Sequence, residues 1–215
     1  MRGLRKYLTP FAPDQSGAVS VLYELGGLIA ICDAGGCTGN VCGFDEPRWF
    51  EQKSALFSAG LRDMDAILGR DDRLVEKLVD AASKLDVKFV AIIGTPVPAV
   101  IATDYLALKR MSEKKINLPI LTVDTNGMEL YDAGEEKAWL ALFKTFAGKD
   151  VASQKEILEE DDSSKKMKIG VLGLTPHDVS DLNVEGKFRK SEDENTHYIC
   201  YGMGAGIDKV KTAGS

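Results

Sequence analysis

No apolar run in this 215-residue chain exceeds strand length; the longest include Leu28–Cys32 and Phe89–Ile93. Neither approaches the ~20 residues that cross a bilayer, so no membrane span is expected. Clustered basic residues are also lacking. The chain carries 27 Lys and Arg against 33 Asp and Glu, a formal charge of −6. Phosphate backbones bind clustered Lys and Arg, so nucleic acid is not an expected partner. The basic start, Met1 to Lys6, is followed by no signal-peptide core, which leads to the expectation of a cytoplasmic protein. There is no Walker A motif and no assignable Ser-His-Asp set, and the only two histidines, His177 and His197, stand isolated. Cysteine numbers four, with neither the paired CxxC of zinc sites nor the ferredoxin run.

What is present is 44% hydrophobic residues, enough for a sizeable core in one or two domains. Pro10 and Pro13 keep residues 1 to 16 extended. Ser16 is placed to cap a helix from Gly17 to Leu25, ended by Gly26-Gly27. Leu28–Cys32 reads as a strand buried on both faces. Pro47 opens a further helix, and Leu56–Leu61 reads as a strand. Asp71 or Asp72 caps a helix whose stripe is Leu74, Leu78, Ala81 and Leu85. Lys88–Gly94 and Leu118–Asp124 are strands separated by a helix over Pro98–Lys114. Asn126-Gly127 is a turn, and Gly134–Ala147 is helical. Strands alternating with helices predict an α/β fold, a Rossmann-like parallel sheet flanked by helices.

Residues 149–166 break the pattern with Glu159-Glu160-Asp161-Asp162-Ser163-Ser164-Lys165-Lys166. We therefore divide the chain into a first domain over 1–150, an acidic linker over 151–166, and the start of a second α/β domain over 167–215. Strands are expected at Met167–Leu172 and Thr196–Tyr201, the latter carrying Cys200 as a core residue. Gly202-Met203-Gly204-Ala205-Gly206 resembles a phosphate-binding turn, but Ile207 occupies the place of the third glycine, so a strand-to-helix turn is the safer account.

The chemistry concentrates in Cys32-Asp33-Ala34-Gly35-Gly36-Cys37-Thr38-Gly39-Asn40-Val41-Cys42-Gly43, with C-x4-C-x4-C spacing. It follows a buried strand, at the carboxyl end where open α/β sheets bind ligands. Gly35, Gly36 and Gly39 would let backbone N–H groups approach a cluster's sulfides, whose potential such hydrogen bonds tune. Cys37 and Cys42 lie in a polar loop with little to pack against and are the candidate metal or redox thiols. Cys32 ends a buried strand and is either a ligand or a packed thiol. Asp45-Glu46-Pro47-Arg48-Trp49 is either a docking surface or simply a helix N-terminus, where acids and proline belong.

At this loop the sequence resembles the nitrogenase component 1 family. Gly17-Ala18, a helix, a strand and then Cys32 to Cys37 are similar to the segment ending His-Gly-Pro-x-Gly-Cys in that family. Phe57-Ser58 through Asp63, Asp65 and Gly69 continue the likeness. Val90–Gly94 with Thr95-Pro96 and Asp104 resembles its Cys-Pro…Gly-Asp-Asp segment, and Val123–Gly127 its next strand and loop. The resemblance covers about residues 9 to 147 and resumes at the Met167 strand. Family members usually contain three such domains, so the chain looks like an amino-terminal portion. Of the three separated cysteines that hold the family's cluster, only Cys37 has a counterpart here. Phe11 lies near the first, Thr95 replaces the third, Cys32 stands where the family has His, and Cys42 is additional.

The resemblance implies an oxidoreductase subunit that binds an iron–sulfur cluster through Cys37, Cys42 and Cys32, with Gly35, Gly36, Gly39 and Thr95 around it. It also implies a homologous partner subunit, homo- or hetero-oligomeric, and electrons from a separate ATP-dependent reductase. Two other readings stay open: a cofactor-assembly scaffold or carrier, and a cluster-free small-molecule binding module on the same fold.

Overall fold

A continuous apolar strand needs cover on both faces, and this requirement orders the sheet. The computed structural model describes residues 12–51, 54–147, 167–174 and 196–202. Its main sheet contains β1 (Leu28–Ile31), β2 (Ala55–Ser58), β3 (Val90–Ile93) and β4 (Ile120–Val123), all parallel, in the order β2-β1-β3-β4. The wholly apolar β1 and β3 lie at the centre and are buried throughout. β2, with two exposed residues, takes an edge. The chain goes from β1 to one side and returns to β3 on the other, so the strand order reverses between them. The crevice at their carboxyl ends is the position where such sheets take ligands.

Period-2 alternation sorts the strand residues between two helical layers. Ile29, Ile31, Ala91, Ile93, Leu121 and Val123 face α1 (Asp14–Leu22) and α7 (Tyr131–Phe146). Leu28, Ala30, Cys32, Val90, Ile92 and Ile120 face α4 (Asp71–Lys84) and α6 (Tyr105–Glu113). α1 and α7 pack backbone to backbone. A Cβ on Gly17 would sit 2.0 Å from the Tyr131 carbonyl oxygen, and one on Gly134 only 1.7 Å from that of Asp14.

The predicted strands and long helices are present, with several boundaries moved. The first helix begins at Asp14, with Pro13 rather than Ser16 at its N-cap. Asp14 is instead the clamp: its carboxylate accepts from the Asn126 and Gly127 amides, 2.9 and 2.7 Å away. The helix expected over Pro98–Lys114 is two, α5 (Pro96–Val100) and α6. Between them Ala102 adopts a left-handed conformation (φ 54°), and Asp104 caps α6 by accepting from the Leu106 and Ala107 amides. Pro47 opens only a single 3₁₀ turn, Pro47–Phe50. The expected strand over Leu56–Leu61 ends at Ser58, and α3 (Asp63–Leu68) follows within six residues of it.

Of the carboxyl-terminal part, β5 (Met167–Leu174) and β6 (Thr196–Gly202) form a separate parallel pair. The acidic linker, His177 and the Gly204–Gly206 turn lie outside the described residues.

Candidate functional site

The carboxyl ends of the central strands are stitched together by hydroxyl groups. Thr95 donates to the Cys32 carbonyl at 2.7 Å, and Thr125 donates to the Gly94 carbonyl at 2.7 Å. Cys32 N–H reaches the Ile93 carbonyl and Gly94 N–H that of Val123. Gly94 has no room for a side chain, since a Cβ would meet the Thr125 carbonyl at 2.2 Å. The floor of the crevice is therefore rigid, and the cysteine segment rises from it.

That segment is not the irregular loop its glycines suggested. Gly35, with φ +113°, turns the chain into α2 (Gly36–Asn40), followed at once by a π-helical turn, Val41–Asp45. The Glu46 amide closes it on the Val41 carbonyl at 2.9 Å. Cys37 and Cys42 are both half-buried and pack against the same side of the core, beside α1 and α7. Cys32 does not join them. Strand alternation turns its side chain to the opposite face of the sheet, with Leu28 and Ala30, where it is fully buried.

Asp33 lies among the three thiols and is itself 1% exposed. Its Oδ2 accepts the Thr38 amide at 2.7 Å, and its Oδ1 accepts the Ser58 hydroxyl at 2.5 Å. Sequence reasoning passed over it, although an Asp at a strand tip before a glycine helix start was the available signal. Burial first, and the Asp33 carboxylate second, hold the Cys37 and Cys42 thiols above their ordinary range. A hydrogen bond with the Thr95 side chain pulls Cys37 partly back. Both are thiols rather than thiolates at neutral pH, so any metal they took up would release protons.

Burial, then Asp33 and Asp71, push Cys32 up to about 12. A thiol pKa raised by folding means that the folded chain holds the proton more tightly than the unfolded one. This contribution to stability is whole below the ordinary value of 9.0 and is lost as pH rises toward about 12. We expect alkaline unfolding to become less steep over that window in Cys32→Ala. We also expect iodoacetamide to label Cys37 and Cys42 in the folded protein, several-fold faster in Asp33→Asn, while Cys32 stays unlabelled until the chain unfolds. Peptide mapping of timed aliquots reads all three.

The other predicted residues divide as follows. Thr95 is fully buried, holding Cys37 and the β1 tip. Gly35, Gly36, Gly39 and the neighbouring Gly43 have open space where a Cβ would stand. Thr38 has a buried hydroxyl with no hydrogen-bond partner. Among the described residues no three Cys, His, Asp or Glu groups converge as a complete metal site. Asp45 and Glu46 act inside the fold: Asp45 accepts from Ser16 and Asn40 at 2.7 Å each, and Glu46 caps the 3₁₀ turn and pairs with Arg48.

Fold and site together define a doubly wound parallel α/β domain that carries two half-buried thiols and a glycine surface at its topological switch point. The comparisons with known proteins carry this further. The chain belongs to the nitrogenase component 1 type oxidoreductase family, whose model matches residues 15–186. Two solved structures, nitrogenase Cp1 at pH 5 and nitrogenase Cp1 at pH 6.5, resemble it with a TM-score of 0.71 at 18% identity. The alignments cover 99% of this chain but only 43% and 41% of theirs, so it spans less than half their length. At this identity the likeness shows the fold. No curated protein matches the sequence. No helix among the described residues is long and apolar enough to cross a membrane.

Proposed function

We propose that the chain is a nitrogenase component 1-like oxidoreductase subunit that holds an iron–sulfur cluster at Cys37 and Cys42 and receives electrons from a separate ATP-dependent reductase. The observation that supports this reading is that two half-buried thiols, Cys37 in α2 and Cys42 in the π-helical turn after it, pack against the same core cluster beyond the carboxyl end of β1, inside this family's fold. When bound, such a cluster accepts and passes on single electrons.

The residues fit this group as half of a shell. Four thiolates commonly hold a cluster, and this chain would supply two, both half-buried. The remaining ligands would come from a homologous subunit, another copy or a related chain. Gly35, Gly36, Gly39 and Gly43 face open space, which would leave room for a cluster to approach this segment. Thr95 orients Cys37. Asp33 opposes thiolate formation, so the free thiols stay protonated until a metal displaces the protons. Cys32 serves as a core thiol in this reading. The two thiols would serve an assembly scaffold equally, and turnover with a reductase separates that reading from this one.

The test is iron and acid-labile sulfide content of protein purified without oxygen. Wild-type and Cys32→Ala should carry both, and Cys37→Ala and Cys42→Ala should lose at least four fifths. Cluster retained in both variants, or no iron in wild type after reconstitution, would overturn the assignment. Gly39→Ala adds a discriminating case. Alanine in α2 should stabilise the free chain by up to ~1 kcal/mol, since nothing lies within 4 Å of the new methyl group. It should also lower iron retention, because the methyl group would stand in the cluster's approach. A thermal melt beside the iron assay reads both effects.

A further inference from the structure

Asp33, at the tip of β1, is a carboxylate buried to 1% exposure with no cation paired to it among the described residues. Its two oxygens accept from two different elements. The Thr38 amide of α2 reaches Oδ2 at 2.7 Å, and the Ser58 hydroxyl of β2 reaches Oδ1 at 2.5 Å. Ser58 Oγ itself accepts from the Gly60 amide at 3.0 Å, which leaves its own proton for Asp33. Both partners donate, so the carboxylate accepts twice and is called on to donate to nothing. The Asp33 carbonyl takes the Leu61 amide at 2.7 Å. One residue thereby ties the tip of β1 to α2 and to the end of β2.

Holding these elements together does not require a charge. Asn and Ser accept the amides of a helix start about as well as Asp does. Burying a charge without a counter-ion is costly. The charge is therefore the feature that the hydrogen bonds leave unexplained, and its position is informative. Oδ2 lies one hydrogen bond from the Cys37–Thr38 peptide. After burial, Asp33 is the next cause of the raised thiols at both Cys37 and Cys42, so one charge reaches the two of them.

We propose that the buried Asp33 charge lowers the reduction potential of a cluster held at Cys37 and Cys42. This rests on the cluster reading above and gives that site a residue that tunes it. A fixed negative charge in a poorly solvated place opposes the arrival of one more electron, whose source in that reading is the separate reductase. Asp33 gains and loses no electron itself; it acts through its field alone. The hydrogen bonds to Thr38 and Ser58 hold that field at a constant distance from α2.

The experiment is a mediated redox titration of the full chain, reconstituted with iron and sulfide and followed by EPR, in wild type and three variants. Asp33→Asn removes the charge and keeps both contacts, since its carbonyl can accept the Thr38 amide and its NH2 can donate to Ser58. Poised at the wild-type midpoint, it should show a reduced-to-oxidised ratio about tenfold higher or more, the size of effect a unit charge exerts over several ångström at an effective dielectric near ~20. Asp33→Ser, also uncharged and able to accept the Thr38 amide, should do the same, and decides the matter if the Asn variant does not fold. Ser58→Ala deletes one hydrogen bond and keeps the charge, so its ratio should equal the wild-type value or fall below it. A neutral variant within twofold of wild type, or a rise in Ser58→Ala matching that of Asp33→Asn, would overturn the proposal and leave the cluster reading standing. Wild type that takes up no iron would remove the cluster reading and this proposal with it.

Discussion

Gly134→Ala will destabilise the protein by about 3 kcal/mol or more, among the largest effects expected of adding one methyl group. The new Cβ would stand 1.7 Å from the Asp14 carbonyl oxygen and 2.5 Å from its carbon. Both are backbone atoms of α1, so no rotamer change relieves the clash, and the two helices must separate. Separation draws Asp14 away from the Asn126 and Gly127 amides it holds. Gly127 has no freedom of its own: its φ is +75° and Pro96 fills the space beside it. Chemical denaturation gives the magnitude, and Gly39→Ala, a glycine facing open space, is the matched control that should not fall.

Arg48→Met is the second large effect, at about 3–5 kcal/mol. Arg48 reaches both Glu46 oxygens at 2.7 and 2.8 Å, donates to the Ser20 carbonyl at 2.7 Å, and lies over the Tyr23 ring at 4.7 Å. Glu46 is 2% exposed. Methionine replaces the volume but leaves a carboxylate buried beside Glu24 without its fork of donors. Deleting one partner of a buried pair is costly, whereas deleting both is not. The double variant Glu46→Gln with Arg48→Met should therefore recover more than half of the loss. A double-mutant cycle on unfolding free energies measures that coupling. The pair ties the segment after Cys42 to α1, so Arg48→Met should also expose Cys42 to faster alkylation.

The strands were legible because burial on both faces demands unbroken apolar runs, and Leu28–Cys32 and Phe89–Ile93 have no competing reading. Strand alternation puts Leu28, Ala30 and Cys32 on one face, but the sequence did not say which face Cys37 takes, so Cys32 stood among the candidate ligands until the fold separated them. What escaped was set by single hydrogen bonds or by distant partners. The break before α6 depends on Asp104 accepting two amides. α3 carries Met64, Ile67 and Leu68 on its exposed side, so no buried stripe announced it. The π-helical turn is a choice of hydrogen-bond partner that composition does not encode. Arg48 and Glu46 read as surface charges, because burial of such residues is rare without a partner that only the fold supplies. Thr95 meets the Cys32 carbonyl across 63 residues of sequence, a contact that crossover topology alone creates.

The central claim is that two thiols of this chain hold a redox cluster, and EPR of the dithionite-reduced protein, prepared without oxygen, tests it most directly. The account predicts a reduced-cluster signal in wild type and Cys32→Ala that is absent from Cys37→Ala and Cys42→Ala, with all four proteins melting as folded chains. A signal that survives loss of either Cys37 or Cys42, or folded wild-type protein that shows none after reconstitution with iron and sulfide, would contradict it.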